Sequence, residues 1–450
     1  MRILWVKAGR LLPVDTGGKI RSFNILKHLS QWNDLGLLSY YAGPRDEAYE
    51  EDLNRLFPGA IAMPVPLPGK SSLKGRWDYL KGLFVPLPYA VYKHTTADVR
   101  SHLGRLLVPG SVDIAICDFL APSANFGPGC GVPVILFEHN VEALLWRRQA
   151  AHHRNRIASA LYRLEAAKML KYETSVIRSF DHIIAVSEND SRWFRDIVGP
   201  SRVSVVPTGV DTSIYHPDER PASDGNLIVF SGSMDWEANA DAVVHFCKAI
   251  LPIVRHRIPE ARFRIVGRAP GPAVRNLASQ TVEVTGTVDS VVPHLRRAAV
   301  VVVPLRIGGG TRLKILEAMA MGKAVVSTNI GAEGLNLRDG SEIILADQPS
   351  DFAAAIVRLM QNERERHRLE QNAAALARNY GWDGVAAQFQ RVLADVLNES
   401  ATRSAVPVTP SPIRTAISAR SPLTHHHRSN GGSPGLHPFT ASDIRGRDLN

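Results

Sequence analysis

The first half of the chain alternates short apolar runs with amphipathic stretches. RILWVK (2–7), DIAICD (113–118), PVILFEHN (133–140) and DHIIAVS (181–187) are compact apolar runs that end in polar side chains. Runs of this kind fit parallel strands buried on both faces, with chemistry at their carboxyl ends. SFNILKHLSQW (22–32) instead places Phe23, Leu26 and Leu29 at helical spacing. The rhythm restarts at NLIVFSGS (226–233), followed by a helical stretch over 238–258. Strand-like runs RFRIVG, VEVTG, AVVVVPL, AVVST and EIILA follow it. The pattern predicts an α/β protein of two doubly wound domains, 1–205 and 206–381, with the turn-rich stretch 203–218 as linker.

With 450 residues the chain is too long for one ordinary core and has room for two domains and extra segments. A hydrophobic fraction of 45% with 21% charged residues matches a soluble globular protein. Cys117, Cys130 and Cys247 are odd in number and lack metal-ligand spacing, which argues against a disulfide scaffold or a zinc site and fits a reducing cytoplasm. The opening MRILWVKAGR reads as a buried strand, its apolar stretch being too short for a signal peptide, and no run approaches the length of a membrane span. Beyond Glu399 the composition turns to Pro, Ser, Thr and Arg without periodicity. Residues 400–450 therefore read as a disordered basic tail, the three adjacent histidines at 425–427 included. The net charge of +10 fits a solubility bias, an anionic substrate, or a nucleic-acid or acidic-lipid partner, and only its placement can choose.

Placement points to residues 305–335, LRIGGGTRLKILEAMAMGKAVVSTNIGAEGL. A strand runs into three glycines, and a helix follows from near Thr311 with Leu313, Leu316 and Met319 on its apolar side and Gly322 just past its end. Strand, bare loop and helix mouth together aim free N–H groups and the positive end of the helix dipole at one space, which suits a phosphate or diphosphate. Arg312 and Lys314 add charge. No lysine stands in Walker register, and Leu313 occupies the place of the third glycine of a dinucleotide fingerprint. The plainer alternative is a tight turn that needs positive φ. Glu317 lies about 9 Å along the helix from Thr311, within reach of a ribose, or else is an ordinary solvated glutamate.

GGGTRLKILEAMAMGKAVVST resembles the donor-site signature of family 4 retaining glycosyltransferases, which have the two-domain GT-B fold. TGGKIRSFNILKHL, AVSENDSRWF, VVPTGVDTSIYHP and WDGVAAQFQRVLADVL resemble, in order, that family's N-terminal glycine loop, the end of its first domain, its linker and its closing helix. The resemblance covers residues 1–398 and is closest to a subgroup of bacterial exopolysaccharide-type sugar transferases. It implies two Rossmann-like domains, the first for an acceptor and the second for a nucleotide-diphosphate sugar, and a helix at 382–399 that packs back on the first domain. It also implies hexosyl transfer with retention, needing no cofactor and no metal. Gly17, Gly18, Arg306, Gly309, Gly310, Thr311, Leu313 and Glu317 would contact the donor. His139, Arg312 and Lys314 would serve catalysis. Two departures stand out: Gly309 replaces the family's first motif glutamate, and Ser233 and Ala238 stand where an Arg and a Lys are usual. Arg306, Arg312 and Lys314 are the expected replacements for those cations.

EHNVEALLWRR places His139, Asn140 and Glu142 at the end of a strand, and Asp118 ends its neighbour, so Asp118, Asn140 and Glu142 are candidate acceptor or sugar contacts. A histidine bonded only within the framework is the competing reading of His139. Segments 70–93 and 146–171 combine aromatic and basic residues and fit docking of a cytoplasmic protein on the inner, anionic membrane face, with a lipid-linked or saccharide acceptor; ordinary half-exposed helices are the alternative. Base-stacking motifs are not evident, so no nucleic-acid partner is expected. A sugar-nucleotide epimerase of the same architecture and a non-enzymatic basic binding protein are the competing functional classes.

Overall fold

The computed structural model describes residues 1–65, 73–127, 129–152, 156–217, 224–308 and 312–405. The strands among them form two wholly parallel sheets. The first has the order β3-β2-β1-β4-β5-β6-β7, from β1 (Arg2–Ala8), β2 (Asp34–Ala42), β3 (Ile61–Val65), β4 (Ile114–Asp118), β5 (Val134–Glu138), β6 (His182–Ala185) and β7 (Val203–Val205). The second has the order β10-β9-β8-β11-β12-β13, from β8 (Leu227–Ser231), β9 (Arg262–Val266), β10 (Val282–Val284), β11 (Val300–Val303), β12 (Val325–Ser327) and β13 (Ile344–Leu345). Every residue of β4, β5, β8 and β11 is buried, which explains why these runs are continuous rather than alternating. In each sheet the chain winds outward one way from its first strand and then the other. The crevices between β1 and β4 and between β8 and β11 are therefore the natural ligand positions.

Six helices frame these crevices or tie the sheets together: α1 (Gly17–Trp32), α2 (Leu73–Leu83), α3 (Glu142–His152), α4 (Arg156–Val176), α5 (Leu313–Ala320) and α6 (Trp382–Ala405). In α1 the fully buried positions are Ile25, Leu26 and Leu29, with Phe23 only half-buried, so the apolar face is rotated slightly from the one the sequence outlines. The helical stretch expected over 238–258 breaks into Glu237–His245 and Leu251–Arg257 around a wide π-turn at Phe246–Ile250. Pro252 has no N–H to continue the regular ladder there.

α6 crosses to the first sheet. Its Trp382, Val385, Phe389, Val392, Leu393 and Val396 share one core with Trp5, Ile25, Leu26, Leu29 and Phe137. Phe389 lies 5.7 Å from the Trp5 ring and 5.1 Å from the Phe137 ring. Trp382 packs so tightly on Gly209 that a Cβ there would come within 2.5 Å of the indole. The helix continues to Ala405, beyond the expected end at 399, because the amphipathic face runs out before the backbone ladder does. The stretch 203–218 is not all linker either: Val203–Val205 is the edge strand of the first sheet. The rest of the proposed tail, 406–450 with its histidines, lies outside the described residues.

Phe389→Ala should cost the first domain about 3–5 kcal/mol. The urea midpoint is expected to fall, and hydrogen exchange should quicken in β1 and not in β11. Equal loss of protection in both strands would mean that α6 does not anchor the first sheet in particular.

Candidate functional site

At the second sheet's crevice, β11 leads through Gly308 into α5, whose N-cap is Arg312 in extended backbone. Gly309, Gly310 and Thr311 lie outside the described residues. Gly308 has φ +149°, and a Cβ on it would overlap the Arg312 guanidinium, so this position needs a bare backbone. Arg312 is buried, with its guanidinium 5.2 Å above the Trp236 ring. Lys314 Nζ donates to Asn239 Oδ1 at 2.8 Å and sits 4.0 Å over the Phe230 ring. Burial, and then the neighbouring Arg312 charge, press the Lys314 ammonium down to about 7. A Cβ on Gly232 would stand 2.6 Å from that Nζ, so Gly232 is what lets the ammonium lie there. Glu317, one turn further along α5, accepts a hydrogen bond from Tyr215 and is raised by burial, with Lys314 pulling the other way.

α5 closes in a Schellman turn. Gly322 has φ +63°, the Gly322 N–H bonds Met319 O and the Lys323 N–H bonds Ala318 O, each at 2.9 Å. Leu316 and Met319 are buried beneath the helix. Leu313 departs from the expected face: it packs against the first domain's core, 3.4 Å from where a Gly17 Cβ would be. The glycine start of α1 and the first residue of α5 thus meet across the cleft.

Arg306 does not join this group. It forks onto Asp241 at 3.0 and 2.5 Å on an exposed face. The surrounding sequence placed it next to the glycines, but the strand's exit turns its side chain outward. Arg268, which sequence reasoning passed over, is present instead. Its Nε donates to Ser233 Oγ at 2.6 Å and its Nη1 to Asp15 Oδ2 at 2.6 Å, a bridge between the two domains. Arg148 of α3 makes a second bridge, to Gly308 O at 2.6 Å and to Glu333 at 2.6 and 2.7 Å.

At the first sheet's crevice, Asp118 is fully buried and receives four donors: Trp5 Nε1 at 3.1 Å, Lys7 Nζ at 2.8 Å, Ser22 Oγ at 2.7 Å and His139 Nε2 at 2.9 Å. Burial alone would raise its pKa; the Lys7 charge and the His139 hydrogen bond outweigh it and hold the carboxyl well below the usual range. The other ring nitrogen of His139, Nδ1, accepts from Arg21 Nη1 at 2.7 Å, and Arg21 Nε reaches Thr208 Oγ1 at 2.8 Å. Burial, then the Arg21 charge, drives His139 down to about 3, so the imidazole is neutral with its proton on Nε2. Asp118 and His139 are each 1% exposed and bonded to protein partners, and Asp118 also lines the neighbouring crevice.

His139 acts on the crevice through Phe119, whose ring stacks on it at 3.6 Å. Phe119 has φ +70°, strained for an aromatic residue, and a Cβ on Gly18 would come 2.6 Å from its ring. The crevice here is a 410 Å³ cavity lined by Gly9, Thr16, Gly18, Lys93, Phe119 and Glu142 among others. Glu142 takes a hydrogen bond from Asn140, and burial raises its pKa to about 7. Asp118 and Glu142 both line this cavity, Asp118 through its buried network and Glu142 with Asn140 bonded to it. Phe119, Arg268, Asn239 and Tyr215 escaped sequence reasoning because nothing in their local pattern marks the partners they meet in the fold.

Below this crevice Glu138 is buried with neither carboxyl oxygen hydrogen-bonded among the described residues. Burial, then the nearby Glu173 and Glu142, raises its pKa well above the usual value. The folded state therefore holds a proton the unfolded chain releases, and stability falls as pH climbs from the ordinary carboxyl range toward the raised value. Glu138→Gln should flatten that fall, gaining about 1–3 kcal/mol over wild type at pH 8.5 relative to pH 5. Urea midpoints of both proteins at the two pH values check it; parallel profiles would mean the carboxyl is not held protonated.

Comparison with known proteins fits this geometry. Residues 67–214 match the Glycosyltransferase Family 4 description and residues 225–362 match Glycosyl transferases group 1. The phosphatidyl-myo-inositol mannosyltransferase of Mycobacterium tuberculosis is 30% identical over 232 residues, 48% of this chain and 60% of that one. The D-inositol 3-phosphate glycosyltransferase of Acidothermus cellulolyticus is 27% identical over 255 residues, 51% and 56% of the two chains. The match thus spans under two thirds of these relatives' length. Two solved structures share the fold: Anabaena HepE with UDP and glucose, at TM-score 0.60 and 14% identity over 88% of this chain and 100% of that one, and sucrose-phosphate synthase from Thermosynechococcus elongatus, at TM-score 0.65 and 14% identity over 89% and 100%. With one match on each of its two parallel-sheet domains and the GT-B fold throughout, the chain belongs to the family 4 glycosyltransferases.

Proposed function

We propose that the chain moves a sugar from a nucleotide-diphosphate sugar to an acceptor hydroxyl with retention, at the inner face of the cytoplasmic membrane. The observation that carries this reading is the pair of basic side chains at the mouth of α5, the buried Arg312 and the half-buried Lys314. Their charges repel, an arriving anion relieves that repulsion, and a diphosphate is the anion that fits a helix entered through glycines. A relative named for mannosyl transfer and a neighbour crystallised with UDP and glucose support a sugar nucleotide as that anion. The C1–oxygen bond of the donor breaks with its electron pair leaving on the diphosphate. Arg312, Lys314 and the helix mouth stabilise that charge, and Glu317 stands where it can take sugar or ribose hydroxyls. The acceptor hydroxyl attacks from the same face and gives its proton to the departing diphosphate, so the charge is handled by protein cations and no metal is required.

The acceptor would enter the 410 Å³ cavity of the first domain, where Glu142 and Lys93 can orient a hydroxyl. Exposed Trp77, Leu80, Lys81 and Phe84 fall at i, i+3, i+4 and i+7 on and just beyond α2, with Trp77 66% and Phe84 90% exposed. That segment leads directly into the cavity wall at Ala90, Val91 and Lys93. An aromatic and basic face beside the acceptor cavity favours an acceptor presented at an anionic lipid surface. Among the described residues no helix is long and apolar enough to cross a membrane.

Donor binding, transfer and membrane contact are tested separately. Lys314 is largely neutral at pH 8, and a bound diphosphate should restore its charge. Calorimetry of the wild type with nucleotide sugars, in buffers of different ionisation enthalpy, should show uptake of close to one proton at pH 8. Lys314→Met should abolish the uptake and weaken binding at least tenfold, about 1.4 kcal/mol; no uptake in the wild type would discard Lys314 as a donor cation. NMR of the product then reports the anomeric outcome, and acceptor-dependent release of nucleotide separates transfer from epimerisation. Flotation with phosphatidylglycerol vesicles should carry the wild type at low salt and not at high salt, and Trp77→Ser with Phe84→Ser should reduce it severalfold; binding indifferent to lipid charge would point to a soluble acceptor.

A further inference from the structure

Arg268 stands immediately after β9, and its setting is unlike that of the other exposed arginines. A Cβ on Gly267 would overlap the carbonyl of Gly232, so the loops leaving β9 and β8 are in direct contact. Gly232 in turn backs onto Lys314 Nζ. Asn239 completes the link, taking Lys314 Nζ on its Oδ1 and donating its Nδ2 to Ser233 O, both at 2.8 Å. Ser233 Oγ then holds Arg268 Nε at 2.6 Å. A continuous polar chain thus joins the cation of α5 to the guanidinium of Arg268 along the rim of the β8/β11 crevice.

The anchoring uses Nε and leaves the two Nη groups facing outward. They meet carboxylates: Asp15 Oδ2 at 2.6 Å and Asp235 Oδ2 at 3.5 Å. Asp15 belongs to the other domain and lies one residue before Thr16, the N-cap of α1. It also takes Lys19 Nζ at 3.0 Å, so it keeps a cation if Arg268 leaves. Both side chains of the Asp15–Arg268 pair are about one third exposed. A pair so exposed contributes little to stability.

The geometry points to Arg268 as a further residue for the donor diphosphate, with Asp15 occupying its guanidinium as a resident stand-in for that anion. Two oxygens of a tetrahedral phosphate can accept from a guanidinium as a carboxylate does, with more charge. Donor arrival exchanges one anion for the other: the Asp15–Arg268 bridge opens, Asp15 falls back on Lys19, and the contact between the two domains at this edge of the cleft is released. Ser233 then has a role at this rim, since its hydroxyl steers an arginine supplied from the end of the neighbouring strand. This inference rests on the proposed donor, and the test separates the two.

Inorganic pyrophosphate is the probe, because it carries the anion without a base or sugar, with UDP-glucose as a second ligand and uridine as a control. In calorimetry Asp15→Asn should bind pyrophosphate and UDP-glucose about three- to tenfold more tightly than wild type, and Arg268→Gln about tenfold more weakly. The double variant should match Arg268→Gln, since Asp15 has nothing to compete for once the guanidinium is gone. Any uridine binding should be unchanged in all three, which a merely structural disturbance would not allow. If wild type binds pyrophosphate and neither variant shifts its affinity, or if Asp15→Asn weakens it, Arg268 is a surface bridge and the inference falls while the proposed donor stands. If wild type binds neither pyrophosphate nor UDP-glucose, both fall.

Discussion

A carboxylate with no exposed surface has to be satisfied by donors, and Asp118 takes them from four side chains spread over three elements: Trp5 and Lys7 on β1, Ser22 on α1 and His139 beyond β5. Removing any one would leave a buried charge short of a partner, which costs far more than the bond itself contributes. The demand therefore fixes β1, β4, β5 and α1 relative to one another at their carboxyl ends. It reaches further through His139 to Arg21, and through Arg21 to Thr208 in the connection between domains. The glycine start of α1 is held in place by this network. Its position against Phe119 on one side and Leu313 on the other follows from it.

The second crevice is built on the opposite principle. Buried Arg312 and half-buried Lys314 are neighbouring basic groups, and the carboxyl that draws on Lys314, Glu317, is itself raised by burial and tied to Tyr215. Asp118 shows that this chain can neutralise a buried charge completely where a framework is wanted. Lys314 is held instead by an amide oxygen and an aromatic face. A site arranged in this way gains most when an anion from outside completes it, and the cations need no reorganisation at that moment.

Much of this was legible in the sequence, and the failures share a cause. Continuous apolar runs located β1, β4, β5, β6, β8 and β11, because strands buried on both faces leave no polar alternation to misread. The α5 signature and its stop at Gly322 were legible because both ends depend on local backbone chemistry. Val203–Val205 was absorbed into a linker because the turn-rich residues that follow it dominate that stretch. The roles of single polar residues were harder. His139 and Asp118 sit at strand ends, where sequence alone predicts ligand contacts, yet distant parts of the chain turn them inward: Lys7 meets Asp118 across 111 positions and Arg21 meets His139 across 118. Arg306 was judged by its neighbours in sequence, whereas Asp241, 65 residues earlier, decides where it points.

The two crevices also explain why the domains touch where they do. Both sheets present the carboxyl ends of their central strands to the cleft, so both bring a glycine-started helix to the same place, and Gly17 against Leu313 is the apolar contact between those helix starts. Ion pairs flank it on either side, Arg148 with Glu333 and Asp15 with Arg268. The Arg148 bridge also grips the carbonyl of Gly308, the residue that enters the glycine loop. A shift of α3 is thereby felt by the loop that heads α5. α3 itself begins at Glu142, with its first N–H groups held by the Glu173 carboxylate at 2.9 Å. The helix that begins at cavity-lining Glu142 thus carries a contact to Gly308 along its length. Under the proposed transfer, a single rigid element would then span the two sides that the reaction has to bring together.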